Sequence, residues 1–142
     1  MYKNILLTVD LTDPSSWRKA LPAALEMCRA EGATLHLMTV VPDYGMTVVG
    51  QYFPEEYQKK AVVQAGRELR DLSAAQVPSG VKVTHVVAYG TIYEEILGTA
   101  RKIDADLIVI ASHRPELKDY LIGPNAARVV RHSNRSVLVI RE

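Results

Sequence analysis

Two apolar runs that do not alternate constrain this chain more than anything else in it: Asn4-Ile-Leu-Leu-Thr-Val9 and Leu107-Ile-Val-Ile-Ala111. A strand with one face in water alternates apolar and polar residues. A short unbroken run suits a strand covered on both faces, as in a parallel sheet. The first run stops at Asp10-Leu-Thr-Asp13-Pro14-Ser15-Ser16, a cluster of turn and cap residues. A helix follows from about Ser15 or Ser16 to Glu31, with Gly32 as its stop signal and Pro22 as a kink in its first turns. Ala33 to Val41 reads as the second strand, ended by Pro42.

The segment from Asp43 to Phe53 has no clear period and reads as a long loop. Pro54-Glu-Glu opens a helix to about Gln76, with Ala61, Val62, Ala65, Leu69 and Leu72 on one face. After the Pro78-Ser-Gly80 turn, Val81 to Ala88 is the third strand. Gly90 follows, then Thr91-Ile-Tyr-Glu94, the pattern of a capping box. The third helix runs to about Ile103, and Asp106 to Ile110 is the fourth strand. A periodic segment from Ala126 to His132 is the fourth helix, and Ser136 to Ile140 is the fifth strand. Strands alternating with helices predict an α/β fold: one parallel sheet with helices on both faces and right-handed crossovers. With 142 residues and no internal repeat, the chain is expected to form one domain over 1–142.

Nearly half the residues are hydrophobic and the net charge is +1, so nothing favours a polyanionic partner. Arg128, Arg131, His132 and Arg135 are the nearest thing to a basic patch. They fall at a helix C-terminus, where cations suit the dipole, and no nucleic-acid partner is expected. The single cysteine, Cys28, shares a helical stripe with Leu21, Ala24 and Leu25, which makes it a core thiol. It cannot form an internal disulfide, and a reducing, cytoplasmic setting is expected. The sequence opens directly on a strand pattern without a signal-peptide layout. No apolar run approaches the roughly 20 residues of a membrane span.

In a doubly wound sheet, ligands bind beyond the carboxyl ends of the strands where the strand order reverses. If the first and fourth strands are neighbours there, Asp10 meets the stretch Ala111-Ser-His-Arg-Pro-Glu-Leu-Lys-Asp-Tyr-Leu-Ile-Gly123-Pro-Asn125. A helix start presents unpaired N–H groups and a positive pole, a ready site for phosphate. Gly123 either admits close approach of a phosphate or relieves a turn. The N–H groups of Asn125 and Ala126 are candidate donors, together with the Asn125 side chain. Pro124 has no N–H and fits the first helical position. Arg114 could grip a phosphate bidentately, and His113 stands at the mouth. Asp10 could accept a hydroxyl or hold a metal, whereas Asp13 reads as a helix cap. His36 and His85 lie in strands and read as structural; the four histidines show no metal-ligand spacing. A phosphate loop, a dinucleotide Gly-x-Gly-x-x-Gly and the Ser-Gly-Gly-x-Asp-Ser loop of adenylating enzymes are all absent. A phosphoacceptor receiver would need an aspartate after the third strand and a lysine after the fifth; Ala88-Tyr89-Gly90 and Arg141-Glu142 stand there instead. No serine has an assembled base, so a nucleophilic hydrolase is not indicated.

Several motifs together carry a family resemblance across the whole chain: Tyr2-Lys-Asn-Ile-Leu-Leu-Thr-Val-Asp10, Leu35-His-Leu-Met-Thr-Val-Val41-Pro42, Gly90 followed by Ile92 and Ile96, Ala105-Asp-Leu-Ile-Val-Ile-Ala-Ser-His113, Leu121 to His132, and Val137-Leu-Val-Ile140. On these the chain resembles the universal stress protein family, and its Ala-Ser-His-Arg-Pro wording resembles the F/G-type branch. The resemblance implies a Rossmann-like, adenine nucleotide α-hydrolase-like sheet in the order 3-2-1-4-5. It implies a homodimer paired through Ser136 to Ile140, with a tetramer as a further assembly, and ATP binding with Mg2+. The match places Asp10, with Leu11 beside it, against the nucleoside. Val40 or Val41 would meet adenine through the backbone, and Gly90 would line the pocket. Ala111, Ser112, His113, Arg114, Gly123, Pro124, Asn125 and Ala126 would surround ribose and phosphates, with Asp10 as the one candidate metal ligand.

The chain departs from the family's Gly-x-x-Gly, nine residues, Gly-Ser/Thr pattern. Ala111 and Arg114 stand for the first two glycines, the gap to Gly123 is shortened, and Pro124 replaces the hydroxyl residue. Two lost donors would cost about 1–3 kcal/mol each if the phosphates stayed desolvated. Three readings follow: a stress-responsive nucleotide-binding homodimer with little or slow hydrolysis; an interaction protein that has lost the nucleotide and acts through its dimer surface and the Tyr44–Phe53 loop; or a weak ATPase.

Overall fold

The computed structural model describes residues 1–42, 55–112 and 122–141. Five parallel strands, β1 (Asn4–Thr8), β2 (Thr34–Pro42), β3 (Val83–Gly90), β4 (Leu107–Ser112) and β5 (Ser136–Arg141), form one sheet in the order β3-β2-β1-β4-β5. The helices are α1 (Ala20–Glu31), α2 (Glu55–Gln76), α3 (Ile92–Lys102) and α4 (Ile122–His132). This is the α/β sheet and the strand order expected from the sequence. The Asp43–Phe53 loop, His113 and Arg114 lie outside the described residues.

The pleat splits the strands between two cores. Ile5, Leu7, Leu35, Leu37, Leu107 and Val109 pack with Leu21, Ala24 and Leu25 of α1 and Leu69 of α2. Leu6, Met38, Ile108 and Ile110 pack with Ile96 and Ala100 of α3 and Ala126 and Val129 of α4. Both faces of β1 and β4 are therefore covered, which is why their sequences do not alternate. Each fully buried side chain of this size contributes about 1.5–3 kcal/mol. Register at the amino end is set by Asp106, whose carboxylate accepts from the N–H groups of Lys3 and Asn4 at 3.0 Å, while its own N–H donates to Asn4 O. Cys28 is in the α1 core as expected, and burial pushes its thiol up to about 11.

Several boundaries differ from the sequence reading, each for a local reason. The Pro14-Ser-Ser16 cluster forms a separate 3-10 turn capped by Asp13, whose Oδ1 accepts from Ser15 N–H at 3.0 Å. The α-helix begins only at Ala20, so Pro22 falls in its first turn, between Leu21 N–H, which donates to Trp17 O, and Ala23 N–H, which donates to Lys19 O. Gly32 ends α1 at φ 67 with its N–H on Cys28 O, a left-handed cap. Strand β2 includes Pro42, and β3 starts two residues late and reaches Gly90. Thr91 caps α3, but no side-chain bond closes the expected capping box; Glu95 N–H donates to Thr91 O. Helix α4 starts at Ile122, four residues before its apolar periodicity begins. Arg128 lies over the Tyr93 ring at 5.2 Å, and Arg131 and His132 occupy the last turn of α4.

Burial disfavours the charged form of both strand histidines. His36 Nε2 pairs with Asn4 Oδ1 at 2.9 Å and its Nδ1 with the Thr84 hydroxyl at 2.7 Å, and burial lowers its pKa. His85 is lowered by burial and by the Arg70 guanidinium, and its Nε2 is enclosed without a partner. The unfolded chain takes up these protons near the ordinary value of 6.5 while the fold refuses them. Stability is thus fully present above that pH and is lost as pH falls through the depressed folded values. The urea midpoint should hold steady above about pH 7 and drop as the pH falls below the ordinary histidine value of 6.5, with the drop reduced in a His36→Gln/His85→Gln variant. An unchanged parent midpoint across that window would contradict it.

Candidate functional site

The strand order reverses between β1 and β4, which pair in register through Leu7 and Val109. Two residues further on, Val9 and Ala111 are buried in the same cluster, at 2% and 5% exposure. Beyond them β1 yields to exposed Asp10 and β4 ends at buried Ser112. A crevice at such a reversal is the usual ligand position in open α/β sheets.

Hydroxyl groups set the backbone where the strands part. Asp10 N–H donates to Ser16 Oγ at 2.8 Å, and Ser16 Oγ lies 2.9 Å from Asp10 O and 2.7 Å from Asp13 O. Thr12 donates from its N–H and its hydroxyl to Asp10 Oδ1, at 2.9 and 2.7 Å. The Asp10 carboxylate is thereby oriented by its own turn while staying in solvent. Thr39 Oγ1 donates to Val9 O at 2.8 Å, and Val9 N–H donates to Met38 O. Leu11 packs half-buried against the α1/α2-side core.

On the other side of β1, half-buried Val40 and Val41 pair with Ala88 and Tyr89, and Pro42 with Gly90. Gly90 has φ 145, and a Cβ there would lie 3.0 Å from Glu95 Oε2. Glu95, in the first turn of α3, therefore keeps its carboxylate against the end of β3. Helix α4 opens on the opposite flank, with Gly123 and Pro124 as its second and third residues. In a helix starting at Ile122 the first-turn N–H groups without an intrahelical acceptor include those of Ile122 and Gly123, and Pro124 has none. Ala126, by contrast, is a buried core contact.

The reversal thus sets Asp10 just past β1, beside Ala111 and Ser112 at the end of β4, while Val40, Val41 and Gly90 stand at the ends of β2 and β3. Sequence reasoning passed over Ser16, Thr39 and Glu95. Ser16 had a signal, being a serine three residues after a capping aspartate; Thr39 and Glu95 had none beyond their position near an element's end. Among the described residues no three His, Cys, Asp or Glu side chains converge as a metal site, and no helix is long and apolar enough to cross a membrane.

As a class, a βα-alternating chain with this sheet order and a crevice at its point of reversal is a doubly wound α/β domain. The universal stress protein family model matches residues 1–141, and the chain belongs to that family. It is similar to Universal stress protein G of Salmonella typhimurium, 31% identical over 147 residues that cover 99% of this chain and 100% of the relative. Its fold is similar to the solved structure of hypothetical protein MJ0577, with a TM-score of 0.76, 26% identity, and coverage of 100% and 97% of the two chains. Two further structures share the fold: a universal stress protein in complex with cAMP (TM-score 0.68, 23% identity, coverage 99% and 97%) and one from Archaeoglobus fulgidus in complex with dAMP (TM-score 0.61, 20% identity, coverage 98% and 98%).

Proposed function

We propose that this chain is a cytoplasmic, adenine-nucleotide-binding homodimer of the stress response, holding ATP with little or slow hydrolysis. The observation that carries the reading is the convergence of Asp10, at the end of β1, with the end of β4 at the sheet's reversal. The cAMP and dAMP complexes of proteins with the same fold support the ligand class. In this reading Asp10 and Leu11 face the nucleoside, Val40 and Val41 offer backbone to the base, and Gly90 closes its far side. Ala111, Ser112, His113 and Arg114 flank the ribose and phosphates. The α4 start, from Gly123 and Pro124 to Asn125 and Ala126, receives the phosphates at its positive pole.

A single exposed carboxylate fits Mg2+ when the triphosphate supplies most of the oxygens, so Asp10 is the side chain that would meet such an ion. Among the described residues the outer edge of β5 is unpaired, and Val137 to Ile140 along it are only half-buried, which suits pairing with a second copy. Sedimentation should give the mass of two chains; a monomer would remove that part of the reading.

Pro124 limits affinity in this reading, because it offers phosphate neither an N–H nor a hydroxyl. Calorimetric titration with ATP and magnesium should show binding at millimolar or tighter dissociation constants. Pro124→Ser should strengthen it roughly tenfold. Parent protein without bound or titratable adenine nucleotide would end the proposal. If binding then appeared only in Pro124→Ser, the chain would be an interaction protein whose pocket this proline has disabled.

A further inference from the structure

We propose that the outer edge of β3, together with the basic flank of α2 beside it, is a docking surface for an extended acidic segment of a partner protein, taken up as a sixth strand. The sheet ends at β3 on this side, and among the described residues no strand pairs beyond it. Eight residues, Val83–Gly90, run along that edge. Leu35 N–H donates to Lys82 O, so the even-numbered residues of β3 turn their backbone groups toward β2. By the strand's period of two, Val83, His85 and Val87 turn theirs outward. An edge of this kind is a template for main-chain pairing with an added strand.

Helix α2 crosses this strand closely. A Cβ on Gly66 would lie 3.8 Å from Val87 Cγ2 and 3.6 Å from Arg70 Nη1, so the Arg70 side chain folds back beside the crossing. Its charge reaches His85, whose protonation it disfavours. At the helical period Lys59, Val63 and Arg70 lie on the same flank as Gly66, with Lys60 and Arg67 next to them. All five are exposed, and Lys59, Lys60, Val63 and Arg67 line one open hollow with Gln64. Glu56 is the one acid in this stripe; Glu68 and Asp71 fall on the far flank. Among the described residues none of the four cations has a carboxylate within ion-pair distance.

Two copies meeting edge to edge at β3 would bring two of these basic flanks together, so charge disfavours a second copy here and favours an acidic guest. On a guest strand alternate side chains would stand on the α2 face, beside the cations. The others would stand beside exposed Thr84 and half-buried Val86 and Ala88. The segment that fits is extended, with Asp or Glu at every second position and small apolar residues between. Main-chain bonds hold it, and the cations select its sequence. Neither the nucleotide nor pairing through β5 takes part.

The probe is a fluorescently labelled, end-capped peptide of four Glu-Val repeats, titrated into the full-length protein at low salt and followed by anisotropy. It should bind, and should be released at about 1 M salt, where exposed charges are screened. The amide protons of Val83, His85 and Val87 should exchange more slowly when it is bound. A Lys59→Glu/Arg67→Glu variant should bind it at least roughly tenfold more weakly while melting like the parent, since both side chains are exposed. A peptide of Glu-Pro repeats carries the same charge but has no N–H at every second position to ladder, and should also bind roughly tenfold more weakly. Equal binding of the Glu-Pro peptide would overturn the added strand and leave only charge attraction. No binding of the Glu-Val peptide, or slowed exchange along β5 instead of β3, would overturn the site. Slow exchange of the three amides in the parent alone, lost on dilution, would overturn the occupant by giving the edge to a second copy.

Discussion

Leu7→Ala is expected to lower the unfolding free energy by about 2–5 kcal/mol, the range for emptying a leucine site in a close-packed core. Leu7 is fully buried and lies in the central strand, paired on one side with Leu37 of β2 and on the other with Val109 of β4. Both partners are themselves fully buried, and all three belong to the core that α1 and α2 cover. Neither neighbouring strand can move in to fill the void without breaking a parallel ladder, so the cavity cannot collapse and the upper half of the range is expected. Domains of this kind are stable by only about 5–15 kcal/mol, so one substitution would remove a large fraction of the margin. The urea midpoint measures it, with Val63→Ala as a control: Val63 is 55% exposed on α2, and its truncation should change stability by less than about 0.5 kcal/mol. Equal midpoints for the two variants would refute the central place given to β1. The experiment also reaches the proposed ligand, since saturating ATP at about a hundred times its dissociation constant should restore about 2.7 kcal/mol.

The same residues explain why the architecture was legible. A run such as Asn4 to Val9 can be apolar on both faces only if both are covered, and helices between successive runs supply the cover. The sheet order came from resemblance rather than from periodicity, because nothing within a strand names its neighbour. Element starts were harder. Pro14-Ser-Ser16 carries the composition of a helix cap but closes a separate 3-10 turn, since Asp13 satisfies Ser15 locally and the helix proper waits until Ala20. Pro124 read as fitting a first helical position, but the apolar period that marks the helix starts only at Ala126; the helix opens at Ile122, because a first turn needs no N–H from Pro124. The positions of the candidate site residues were legible where they end a strand: Gly90 closes β3 and Asp10 stands just past β1.

Gly90→Val is the substitution expected to damage both fold and ligand affinity. At φ 145 the backbone is in a region that residues with a Cβ rarely adopt, and forcing one there costs on the order of 1–3 kcal/mol. The new Cβ would also stand 3.0 Å from Glu95 Oε2 and 3.3 Å from its Cδ and Cγ. The two causes can be separated, because Glu95 is a flexible side chain that can swing aside whereas the dihedral cannot relax without rotating the end of β3. Adding Glu95→Ala should therefore recover only a minor part of the lost stability. That rotation has a consequence for binding: Gly90 is laddered to Pro42, next to Val40 and Val41, so the proposed base-facing edge of β2 shifts with it. Affinity for ATP should fall by more than tenfold, a change that swinging the Glu95 side chain aside would not produce by itself. If Gly90→Val kept its midpoint, the strained dihedral would not be a constraint. If it lost stability yet bound ATP as before, the end of β3 would lie outside the pocket, and the base would have to be held by β1 and β4 alone.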